Sequence, residues 1–154
     1  MKQGASLIFA TSLFVATFVQ AQSRPAALQQ ILPLLQQEVI AANAHDTDAF
    51  LATYIHDPSL IFIVDGEVIH GFTNLREQQL KWWRNGKSDV VYSEQAEPEI
   101  VSLDARVALV TQQLATHRTL PDGTSHDDKF VVTSIWELRP AGWRVAYCHE
   151  SHTR

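Results

Sequence analysis

Trp143-Arg144-Val145-Ala146-Tyr147-Cys148-His149-Glu150-Ser151-His152 reads in period two, the spacing of a strand with one buried face. Trp143, Val145, Tyr147, His149 and Ser151 fall on one face, and Arg144, Ala146, Cys148, Glu150 and His152 on the other. The first face begins as core and ends in groups that hydrogen-bond and titrate. A strand that passes from packing to chemistry along one face predicts the wall of a pocket, so the rest of the chain is expected to build that pocket.

Working back from this stretch, Arg139-Pro140-Ala141-Gly142 is turn-forming, and Ser125 to Leu138 reads as a long strand. Pro121-Asp122-Gly123 turns the chain again, and Arg106 to Leu120 reads as another long strand. Val90 to Leu103 is extended, with Pro98 predicting an edge position or a bulge. Before Gly86 the period changes. Leu28, Ile31, Leu32, Leu35, Val39 and Ala42 follow helical spacing across Pro25 to Ala44, with Pro33 expected to open the main helix. Asp46 or Thr47 can cap a short second helix carrying Phe50, Leu51, Tyr54 and Ile55. Asp65-Gly66 joins two short strands as a hairpin. Thr73 is expected to cap a third helix, Asn74 to Arg84. Helices first and antiparallel strands afterwards predict an α+β fold: a cone-shaped, curved antiparallel sheet closed by three N-terminal helices.

The extreme N-terminus has the layout of a secretory signal peptide. Lys2 precedes an apolar run from Ala5 to Val19, and Val19-Gln20-Ala21 forms a cleavage site. The run, about 15 residues, is shorter than the roughly 20 that span a bilayer. Residues 1–21 are therefore expected to be removed, leaving residues 22–154 as a single periplasmic or secreted domain with no stable membrane insertion. Its 11 basic residues face 17 acidic ones and form no cluster, so nucleic acid is not an expected partner. Cys148 is the single cysteine, which excludes an intramolecular disulfide and leaves packing to stabilise the fold.

The chain resembles the nuclear transport factor 2-like superfamily, in its SnoaL-like or DUF4440-like branch. The residues that carry this are Asp65-Gly66, Ile69-His70-Gly71, Val132-Thr133-Ser134-Ile135-Trp136, Gly142-Trp143-Arg144-Val145 and His149-Glu150-Ser151-His152. The resemblance implies a cystatin-like α+β barrel with a deep, largely apolar pocket, commonly in a homodimer. Relatives include ketosteroid isomerases, dehydratases, polyketide cyclases and members without known activity.

His149 is the candidate for proton transfer at neutral pH. Tyr54 could donate to a developing oxyanion, or be a core tyrosine with a satisfied hydroxyl. Phe50, Phe62, Trp83, Gln113, His117, Trp136, Tyr147 and Ser151 are candidate pocket or ligand contacts. His126 and Asp128 share a strand face and could act as base and orienting partner, or form an exposed rim. His149 and His152 fall on opposite strand faces, which makes them poor joint metal ligands; no metal or cofactor is called for. The carboxylate set of a ketosteroid isomerase cannot be placed. Two functions stay open: a small-molecule-binding domain with cofactor-independent acid–base chemistry of the isomerase or lyase type, and a non-catalytic ligand-binding or dimeric assembly module.

Overall fold

The computed structural model describes residues 26–152. The expected signal peptide lies outside the described residues. Helix α1 (Ala26–Ala44) turns an apolar stripe to the core through Ile31, Leu35 and Ala42. Pro33 lies inside α1 rather than opening it; its side is exposed, where a proline ring is tolerated with least disturbance. Asp46 accepts from the Ala49 N–H at 3.0 Å and caps α2 (Thr47–Leu51).

Strands β1 (Ile61–Val64) and β2 (Glu67–His70) pair around Asp65 and Gly66. Both turn residues have positive φ, 51° and 82°, the geometry for which Asp-Gly is favoured. Helix α3 (Phe72–Trp82) begins two residues earlier than expected. Its cap is Gly71 at φ 80°, and no side chain, Thr73 included, closes that end. The extended segment divides at Pro98 into β3 (Val91–Glu94) and β4 (Glu99–Ser102), both paired to β5 (Val107–Thr119). Strands β5, β6 (Ser125–Arg139) and β7 (Gly142–His152) form the long antiparallel centre.

The sheet runs β2-β1-β7-β6-β5-β3, with β4 also on β5. It is curved, unclosed and mixed, because β1 lies parallel to β7. That pairing joins residues more than 80 positions apart and aligns Val64 with Glu150. The helices cover the concave face, and Ile31, Leu35, Leu51, Leu60, Leu75, Val110 and Trp136 are fully buried between them. Burial at this level contributes roughly 1.5–3 kcal/mol for each large side chain. No helix among the described residues is long and apolar enough to cross a membrane.

Candidate functional site

Strand register sorts the concave face into rows. Val110, Ser134, Cys148 and Phe62 form one row, and it is buried throughout. Gln112, Val132, Glu150 and Val64 form the next; Leu114, Phe130 and His152 follow nearer the rim. Above the two outer rows lies a cavity of about 260 Å³. Helix α1 closes it with Glu38, Val39 and Ala42, and Phe50 and Tyr54 enter from α2 and its C-terminal extension. Gln79, Trp82 and Trp83 come from α3 and its cap, Tyr92 from β3, and Asp65 from the hairpin turn. Asn43 holds Tyr92 in place: its side-chain amide donates to the Tyr92 carbonyl at 3.0 Å and accepts the Tyr92 N–H at 2.9 Å.

Two groups of titratable side chains meet this cavity. Glu38 is buried, and the Thr53 hydroxyl donates to it. Burial pushes its carboxyl up to about 8, against the opposing effect of Thr53. Tyr54 lies in hydrogen-bonding contact with Cys148, and burial drives both groups well above their ordinary range. At the rim, His152 Nδ1 meets Asp128 Oδ2 at 2.5 Å and its Nε2 faces Glu150 at 3.8 Å. The two carboxylates, Glu150 first, hold the imidazole at about 9 in spite of partial burial. Its ring stacks on Phe130 at 4.9 Å between centroids.

The structure brings Phe50, Tyr54 and Trp83 to the cavity and places other expected contacts elsewhere. His149 and Ser151 are exposed on the convex face, with Tyr147 half-buried on the same side. The cause is a β-bulge: Ile135 pairs with Tyr147, but Trp136 pairs with Val145, leaving Ala146 as an extra residue. The alternation flips there. Trp143 and Val145 face the core before the bulge, and Cys148, Glu150 and His152 do so after it. Gln113 and His117 also point outward, with His117 Nδ1 at 2.7 Å from Asp127; their neighbours Gln112, Leu114 and Thr116 line the cavity. Trp136 lies in the core beneath, donating to the Ser134 hydroxyl at 3.0 Å. Phe62 is likewise core, against the rings of Tyr54 and Trp82. Asp128 has His152 rather than His126 as its partner, and His126 is exposed.

Glu38, Gln79, Gln112, Glu150 and His152 are thus the polar groups that strand and helix patterning did not single out. Glu38 carried a signal, since it sits on the apolar stripe of Ile31, Leu35 and Ala42. A charged residue on a core-facing stripe is more informative than an exposed apolar one. Among the described residues no cluster of three or more His, Cys, Asp or Glu is arranged to hold a metal ion.

A family model described as a SnoaL-like domain matches residues 31–154. The chain belongs to this SnoaL-like family. Comparison with curated proteins finds no match. Among solved structures, a ketosteroid isomerase-like protein from Erwinia carotovora atroseptica is 22% identical, with a TM-score of 0.68; the alignment covers 84% of this chain and 98% of that one. A protein with a cystatin-like fold from Caulobacter vibrioides is 18% identical, with a TM-score of 0.70 and coverage of 83% and 90%. The association domain of the C. elegans protein CaMKII is 19% identical, with a TM-score of 0.67 and coverage of 82% and 95%. At these identities the likeness is one of fold. The SnoaL-like domain has the α+β class that its strand and helix order predicted and the cystatin-like architecture that the resemblance implied.

Proposed function

We propose that this SnoaL-like domain is an exported protein that binds a small, mostly apolar molecule in its cavity and moves a proton on it. The observation that carries this is Glu38, a buried carboxyl on the cavity wall whose pKa burial pushes up to about 8. A carboxyl poised near neutral pH can both donate and recover a proton. Tyr54 lines the same cavity and would donate to an oxygen that gains charge. The cavity volume, about 260 Å³, lies near the lower end of small-molecule sites, which span roughly 300–1,000 Å³. The chemistry fits isomerisation, dehydration or cyclisation without a cofactor. The ketosteroid isomerase-like protein of the same fold is consistent with that class. Export rests on Lys2, the apolar run to Val19 and the Val19-Gln20-Ala21 site.

A β,γ-unsaturated cyclic ketone tests the acid–base half, because its conjugated product is read by ultraviolet absorbance. The domain is expected to accelerate conjugation, and Glu38→Gln to slow it by about 100-fold or more while the protein stays folded. Unchanged turnover in Glu38→Gln would remove Glu38 from the chemistry. Failure of the wild type to convert the ketone, with the ketone bound, would leave a binding protein.

The assembly alternative has its own observation. Leu109, Ile135, Tyr147 and Ile61 form a half-buried apolar row on the convex face, and Val131, 39% exposed, lies on the same face two rows away. A second copy of the chain covering this row would make a homodimer compatible with an occupied cavity.

A further inference from the structure

The cavity of the proposed binding domain has a marked sign of charge. Three lining residues are acidic, Glu38, Asp65 and Glu150, and none is Lys or Arg. His152 brings one positive charge, already facing both Asp128 and Glu150. With Glu38 protonated, Asp65 and Glu150 on the wall and Asp128 behind His152 are formally negative, against His152 and, from outside the lining, Arg118, whose charge reaches Tyr92. The walls add aromatic rings whose faces are electronegative. Phe50 and Tyr92 meet Trp83 edge-on at 5.2 and 6.2 Å between centroids. The Trp83 indole N–H donates to the Tyr92 hydroxyl at 2.9 Å, so its positive edge is occupied.

The wall also carries two neutral polar side chains. Gln79 and Gln112 line the cavity at 5% and 6% exposure. Each presents an amide to the cavity wall, with one oxygen that accepts and one NH2 that donates. The rings and carboxylates select positive charge, and the amide oxygens add further acceptors.

We infer that the cavity takes a small aromatic or alicyclic molecule bearing a protonated amine, its ammonium group turned to Glu150 and its body laid on Phe50, Trp83 and Tyr92. An ammonium group has donors and no acceptor, which suits a wall of carboxylates, amide oxygens and ring faces. The inference rests on the small-molecule reading above and narrows it to a charge class.

Three matched probes separate the two: phenethylammonium, phenethyl alcohol and phenylacetate, titrated against the mature chain at neutral pH by tryptophan fluorescence. The cation is expected to bind about tenfold more tightly than the alcohol, and the anion most weakly. Added salt should weaken the cation and leave the alcohol unaffected, a readout that needs no variant. Glu150→Gln should bring the affinities of cation and alcohol together. An alcohol that binds as tightly as the cation, or an affinity ratio untouched by salt and by Glu150→Gln, would overturn the amine inference and leave the binding reading standing. If none of the three binds, the binding reading falls and the inference falls with it.

Discussion

Glu38 places a titratable group where packing alone would put a leucine. In the fold it keeps its proton to about pH 8, whereas its ordinary value is 4.5. The folded state therefore binds more protons than the unfolded chain across that interval, and stability falls as pH rises through it. The contribution is full below 4.5 and lost above about 8. His152 acts in the same direction between 6.5 and about 9. Glu38→Gln keeps a neutral polar side chain beside Thr53 and removes the larger part of the slope. Denaturation at about pH 5 and about pH 8 should show the variant gaining on the wild type by a few kcal/mol, at about 1.4 kcal/mol per unit. Parallel curves for the two proteins would mean that Glu38 is ionised in the fold. The signal for this residue was present in the sequence as one acid on an apolar helical stripe. The burial that raises its pKa depends on segments distant in the chain closing over α1, which periodicity does not report.

At the scale of elements, the Asp65-Gly66 hairpin, the short capped helix α2 and the three long strands were legible because their signals are local. The bulge at Ala146 was not. Nothing in Val145-Ala146-Tyr147 marks an extra residue, since Ala and Tyr both suit a strand. One unpaired residue exchanges every side chain beyond it between the two faces. On β5 both Gln112 and Gln113 are polar, so alternation alone does not say which belongs to the cavity. The parallel pairing of β1 with β7 is equally silent, because it is set by distant residues. His149→Ala is expected to leave probe affinity and ketone turnover within about twofold of wild type, as for a surface substitution. A larger loss would restore His149 to the site and contradict the bulge. Cys148 gives a second check: it is buried and its thiol pKa is pushed up. A thiol reagent should modify it only at the rate at which the fold opens. Modification at the rate of a free thiol would place it outside.

The whole molecule is one curved sheet with two unlike faces. The concave face is buried under helices or opens to the cavity, while the convex face keeps a row of apolar side chains in partial contact with water. Light scattering at high micromolar concentration is expected to give twice the monomer mass, and Ile135→Asp to return it to the monomer by putting charge in the centre of that row. A wild-type monomer would defeat the homodimer. The central claim concerns the other face, where a neutral carboxyl waits on the wall of the cavity. Carboxyl-carbon NMR of glutamate-labelled protein tests it most directly. One glutamate resonance should titrate near pH 8, be missing from Glu38→Gln, and shift when phenethyl alcohol or phenethylammonium fills the cavity. Titration of every glutamate near the ordinary value of 4.5, with no response to either probe, would contradict the account.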